Sequence, residues 1–322
     1  MNMTDEKYFK LNYHSFSRLS NFDKNGPRGI NKEYGGDTDA FNLGALVEEI
    51  LQGDVKSIKA KFIITDNVKP TAQLGQLADA MIASGKDETL ENAYEMAKEM
   101  NLWAGTKNPD LYTKKIDIPQ FWEYLKLQRT NKRIVSPETF ISAKSMVKGL
   151  LTNEFTDHIF QCEKHEELRN QEVVIWNNDT CKSKFDIIKL NHKTKTITLY
   201  DLKTSGFDKE RFIGSFYKFR YYLQASMYTT AINAWAFENY PDYLVKPFQF
   251  IVVQEADPMN PLVYTVSEPI INSGRDGFVE DSGKIYKKGY EQLIQEYEWH
   301  VNNNKFSYSK ETYEQKGNII IE

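Results

Sequence analysis

The chain has 322 residues, 40% of them hydrophobic and 27% charged, with a formal net charge of −4. It can bury a full core as an ordinary globular protein, and its charge excludes a generic basic DNA-coating protein while leaving room for a local basic groove. Two cysteines, Cys162 and Cys181, exclude a disulfide framework, a four-cysteine zinc site and an iron–sulfur cluster held by this chain alone.

The predicted elements begin with a capped helix start at Tyr13–Leu19, with Ser15 or Ser17 as N-cap. Leu43, Leu46, Val47 and Ile50 form an apolar stripe at helical spacing and predict a helix over Phe41–Leu51, with Glu48 beside the stripe. KFIITD (Lys61–Asp66) reads as a short strand. From about 70 to 153 the pattern is mostly helical, ending in a helix capped by Ser136 with Pro137 at its first position. We take this as a helical insertion within a single domain spanning 1–322.

The period then changes. EVVIW, KFDII, TITLYDL and FQFIVVQ are short β-branched and aromatic runs that predict strands. A long helix over about Ile213–Tyr240 falls between the third and fourth. A strand at LVYTVS and a charged helix from Tyr286 to about Asn303 follow, and NHK near Asn191 reads as a hairpin turn. Strands interleaved with helices predict an α/β fold with a mixed central sheet flanked by helices. No apolar stretch approaches the ~20 residues of a membrane span, and the N-terminus lacks signal-peptide layout, so a cytoplasmic location is expected.

The chemistry concentrates between Lys182 and Tyr228. Asp186 is placed at the end of one apolar strand, Asp201 and Lys203 at the end of the next, and Gln224 and Tyr228 one turn apart on the following helix. Hydrolysis of a phosphodiester needs a deprotonated water and relief of negative charge, which a divalent ion held by carboxylates provides. With five scattered histidines and no paired-ligand spacing, oxygen donors must hold any metal, which favours Mg²⁺ or Mn²⁺. Asp186 and Asp201 are the candidate ligands, with the Leu202 carbonyl as a third oxygen. Lys203 shares a face with Asp201, because strand residues two apart do. An isolated D-x-K at a strand end is usually a surface turn; the order of Asp186, D-x-K and Q-x-x-x-Y together shifts the reading to a site.

This order resembles the PD-(D/E)XK nuclease superfamily, and within it the RecB-like and RecE-like phage-type exonuclease branch. KSKFD stands for the G-x-x-D strand (with Ser183 where glycine is usual), DLK for the D/E-x-K strand and QASMY for the Q-x-x-x-Y helix. HSFSRLSNFDKNGP followed by AFNLGALVEEIL is similar to the opening of RecE-like exonucleases. There a glycine precedes a metal-binding histidine by four residues; here Gly44 places Glu48 at that position. NQEVVIW resembles a strand carrying a further glutamate, which makes Glu172 a second acidic candidate.

The resemblance implies a restriction-endonuclease-like fold and a Mg²⁺-dependent deoxyribonuclease. It further implies an exonuclease on double-stranded ends in phage recombination or replication, with Asp186, Asp201, Lys203, Gln224 and Tyr228 at the catalytic site. A single-strand annealing protein as partner and a ring-like homo-oligomer are what it allows. Two alternatives stay open: a flap- or branch-cutting endonuclease, and a catalytically silent nucleic-acid-binding module of the same fold. For DNA phosphates the candidates are Lys184, Arg211, Lys218 and Arg220, with Lys182, Lys209 and the cluster Lys126, Arg129, Lys132 and Arg133 as further surface charge. Phe207, Phe212, Phe216 or Tyr217 could wedge a DNA end.

Overall fold

The structure is a computed structural model that describes residues 3, 5–30, 38–53, 55–67, 69–130, 132–178, 180–279 and 286–318. The chain divides into two compact units, Met1–Gly36 with Lys148–Glu322, and Asp37–Val147. Among the described residues no helix is long and apolar enough to cross a membrane.

The second unit is mostly helical, as its 3.6-residue periodicity requires, and it begins earlier than the expected insertion. It includes the Asp39–Leu51 helix, whose N-cap Thr38 accepts from the Phe41 amide. Strand β1 (Phe62–Ile64) pairs in parallel with β2 (Arg133–Val135). Helices Ala72–Ser84, Leu90–Glu99, Pro109–Ile116 and Pro119–Gln128 bury Leu77, Met81, Met96, Ile116, Phe121 and Leu125 against one another.

The first unit holds the central sheet. Its strands are β3 (Glu166–Trp176), β4 (Cys181–Asn191), β5 (Thr196–Ser205), β6 (Leu244–Val245), β7 (Gln249–Gln254) and β8 (Asp257–Thr265). The order is β3-β4-β5-β7-β8, with β6 also on β5. All neighbours are antiparallel except β5/β7 and β5/β6, which are parallel. The parallel β5/β7 pair exists because a helical crossover joins the two strands, as a parallel pair demands. This is the mixed sheet the interleaved pattern predicts, open at both edges and flanked by helices. A further antiparallel pair, β9 (Phe278–Val279) with β10 (Tyr286–Lys287), lies outside it.

The core of this unit lies between the sheet and the Tyr221–Asn239 helix. Phe185, Ile188, Leu190, Ile197, Leu199, Phe250 and Val252 meet Leu223, Met227, Ala231 and Ile232 there. The helix Phe16–Asn25, capped by Ser15 through the Arg18 amide, adds Leu19 and Phe22.

Three sequence expectations change. Asp186 lies inside β4, not at its end, because pairing with β3 continues back to Cys181. The crossover is not one helix: a 3₁₀ turn at Lys209–Arg211 and a helix at Phe212–Lys218 precede Tyr221–Asn239. The break is at Arg220, held at φ +60. The last long helix starts at Tyr290, because Tyr286 and Lys287 are taken by strand β10.

Candidate active site

The β4/β5 ladder ends at Ile187↔Tyr200, and one more step in the same register sets Asp186 opposite Asp201. Opposed residues of an antiparallel pair share a face. The two carboxylates lie close enough for each to perturb the ionisation of the other. In place of a ladder bond, the Leu202 amide donates to Asp186 Oδ2 at 2.9 Å. Amide and carbonyl of one strand residue point to the same edge, so the Leu202 carbonyl also faces β4. On its other side Asp186 meets a second interruption. Gln171, at φ +55, breaks the β3/β4 ladder between Asn170↔Ile187 and Glu172↔Phe185. Asp186 thus sits where both of its ladders open, a local irregularity of the kind that re-aims side chains.

The Tyr221–Asn239 helix lies over this point. Gln224 Nε2 donates to Asp201 Oδ1 at 2.6 Å, and Lys203 forms an ion pair with Asp201 Oδ2. The Lys203 ammonium is also over the Tyr221 ring, 4.8 Å from its centroid, and 5.6 Å from that of Phe250. Tyr228, one turn beyond Gln224, lies beside it and sets its ring edge-on to Phe185 at 5.2 Å. The sequence reading missed Tyr221. Its signal was available: three residues before Gln224, it lies on the same helix face.

Asp201 is 2% exposed. Burial pushes its carboxyl up to about 7; the Lys203 charge opposes this and the Asp186 charge adds to it. Burial likewise raises Asp186, against the pull of Lys203, the Leu202 amide and Lys184. For Lys203, burial disfavours the ammonium, but the charges of Asp201, Tyr221 and Asp186 outweigh it and hold the group protonated well above neutral pH. Tyr228 is raised far above its ordinary value by burial and by Asp201, Tyr8 and Asp186, so it remains a donor.

The donor set fits a divalent ion. Two desolvated carboxylates this close repel when both ionise, and a cation between them removes that penalty. Asp201 Oδ2 has no directional hydrogen bond beyond its ion pair, and the buried Gln224 Oε1 has no hydrogen-bond partner. All available donors are oxygens, which suits Mg²⁺ or Mn²⁺. Among the described residues, no three His, Cys, Asp or Glu side chains group as metal ligands.

The other sequence candidates fall in several places. Glu172 pairs across from Phe185 on β3, next to the ladder break. Glu48 lies on the Asp39–Leu51 helix of the second unit, beside the buried Glu49, which Lys61 contacts at 2.6 Å. Lys184 is close enough to influence Asp186. The Arg211 side chain is 87% exposed, 3.6 Å from Asp208. Lys218 lies over the Phe207 and Phe219 rings. The Arg220 guanidinium is engaged by Asp23. Lys182 is buried and donates to the Tyr8 and Leu11 carbonyls at 2.7 and 2.9 Å; burial lowers its ammonium to about 8. Lys209 is buried and paired with Asp257. Of the aromatic wedge candidates, Phe212 and Phe216 are core residues, whereas Phe207 and Tyr217 are exposed.

Comparison with solved structures finds a crystal structure from Eubacterium rectale described as "Putative exonuclease". It is 12% identical, with TM-score 0.47, and the match covers 100% of this chain and 96% of that one. A search of curated proteins finds no match. The family of PDDEXK-like domains of unknown function (DUF3799) matches residues 15–310. The match spans most of the chain, and the chain belongs to this DUF3799 family of PDDEXK-like domains.

Proposed function

We propose that the protein is a Mg²⁺- or Mn²⁺-dependent deoxyribonuclease that degrades double-stranded DNA from its ends in phage-type recombination or replication. One observation carries the reading: Asp186 and Asp201 meet on one sheet face, with the Lys203 ammonium and the Gln224 amide on Asp201. When bound by Asp186, Asp201 and the Leu202 carbonyl, a divalent ion would supply Lewis acidity, neutralising phosphate charge and favouring deprotonation of the attacking water. Glu172, on β3 beside the ladder break, would complete the oxygen set.

The chain's own residues do the rest. Lys203 stays protonated, so it does not take a proton; it orients the water and offsets negative charge growing on the phosphate. Tyr221 and Phe250 hold its stem and ammonium in place. Gln224 fixes one Asp201 oxygen and so turns the other towards Lys203. Tyr228 braces the helix against β4 through Phe185. Lys184, Arg211 and Lys218 would contact the DNA backbone.

Action at ends follows from the RecE-like order of motifs. The test incubates an end-labelled linear duplex and a covalently closed circle of the same sequence with protein and Mg²⁺, then with EDTA. The linear substrate is expected to lose nucleotides only with metal, and the circle to stay whole. Cutting of the circle at a comparable rate replaces this reading with the endonuclease.

A further inference from the structure

The catalytic lysine is one end of a row of aromatic rings and ammonium groups that reaches the surface. Lys203 lies over Tyr221. The Tyr221 ring is 5.8 Å from that of Phe219, the Lys218 ammonium is 5.4 Å from Phe219, and the same ammonium is 5.9 Å from Phe207. Phe219 is 43% exposed and Phe207 65%. Solvent-facing phenylalanines do not add to the core, yet both are held in position by the chain around them.

The backbone of Phe207 is tied to the end of β5, two residues after Lys203. Ser205 Oγ accepts from the Phe207 amide at 3.1 Å and donates to its carbonyl at 2.9 Å. Phe219 ends the Phe212–Lys218 helix, and the next residue, Arg220, takes the left-handed conformation that turns the chain into the Tyr221–Asn239 helix. Its ion pair with Asp23 and the 3.2 Å bond from its amide to the Tyr217 carbonyl fix that elbow. The elbow puts Tyr221 under the catalytic lysine and leaves Phe219 outward.

Rings with a cation between them, on a surface joined to a phosphodiester site, suit one class of ligand. Nucleobases stack on aromatic faces whatever their identity, and their phosphates need positive charge nearby. Lys218 supplies that charge, with Arg211 on the neighbouring 3₁₀ turn; Asp208 and Glu210 flank Arg211 and limit the basic field to the Lys218 side. We propose that Phe207, Lys218 and Phe219 form a platform for the unpaired bases of a DNA strand, whose backbone then leads past Tyr221 to Asp186 and Asp201. Phe207 and Phe219 are positioning residues in this scheme. The proposal rests on the nuclease reading and adds the form in which the strand arrives: separated, not duplex.

The experiment measures binding by fluorescence anisotropy in EDTA, where the strand is not cut. A labelled single-stranded oligodeoxynucleotide, the same sequence as blunt duplex, and the same sequence as RNA are compared. Phe207→Ala and Phe219→Ala are each expected to weaken single-strand binding by about 5- to 100-fold, the range of one lost base stack. Duplex binding should change less than about twofold, and Phe207→Tyr should restore the single-strand affinity. Both residues are exposed, so the variants should unfold at the wild-type urea midpoint. Unchanged single-strand affinity in the double alanine variant overturns the platform, as does equal weakening of duplex. Tight binding confined to RNA, or a change of oligomeric state without a change in DNA binding, also overturns it. Wild-type cleavage of duplex ends with unaltered binding by the variants removes the platform alone; absence of both DNA binding and cleavage removes the nuclease reading with it.

Discussion

Asp201 is held from three sides, with Gln224 on one oxygen, Lys203 on the other and Asp186 alongside. The division of labour is set by what each neighbour can donate. Lys203 carries the charge, so Lys203→Ala should lower cleavage by about 10²- to 10⁴-fold while DNA binding stays close to wild type. Single-turnover cleavage and anisotropy measured on the same preparation check this; near-normal hydrolysis would remove Lys203 from the mechanism. The Asp186, D-x-K and Q-x-x-x-Y residues were legible in the sequence because strand and helix periods assign them to faces. Tyr221, three residues before Gln224, could have been read with it from the helical period. The Leu202 amide could not, because its role depends on a ladder that stops one pair early, which leaves no residue pattern.

Between the helices, close approach does what side chains cannot. Gly274 on the Glu268–Asp276 helix packs against the Tyr221–Asn239 helix so tightly that a Cβ there would fall 2.3 Å from the Tyr222 carbonyl oxygen and 2.7 Å from the Ser226 Cβ. Gly274→Ala should therefore cost about 1–3 kcal/mol by urea denaturation and lower activity in the surviving folded protein, because Gln224 shares that helix. Wild-type stability and activity together would show that the helix does not depend on this contact.

The Arg220 elbow makes a parallel case. Arg220→Ala keeps the left-handed residue but strips Asp23 of its partner, with both side chains about one-fifth exposed. A loss of about 1–3 kcal/mol is expected in the same measurement, and no loss would show the pair to be incidental. This elbow is also why the sequence read one helix over Ile213–Tyr240. The helical period continues through it, and the cause of the break, Asp23, is 197 positions away. The strand runs were read more faithfully, since their β-branched residues and turns are local.

At the scale of the molecule, the site works against stability. The Asp201 carboxyl sits at about 7 in the fold against an ordinary 3.8, so between those values the folded protein holds a proton that the unfolded chain has released. Its contribution is present below about pH 4 and is lost as pH rises through 7. Metal-free protein should accordingly lose stability from pH 5 to pH 8, and Asp201→Asn should flatten that slope, in chemical denaturation at each pH. An unchanged slope would place the Asp201 titration elsewhere.

The sequence anticipated the mixed sheet and a largely helical stretch before it, because change of period is visible at this scale. It did not show that the compact second unit begins at Asp37 and takes the Glu48 helix with it. Which contacts close a core is a property of the folded chain.

The most direct measurement follows release of nucleotides from an end-labelled linear duplex by wild type, Asp186→Asn and Asp201→Asn, with Mg²⁺ and with EDTA. Release is expected from the wild type with metal only, with a fall of at least about a hundredfold in each variant. Release that continues in EDTA, or at the wild-type rate in either variant, would contradict the proposal.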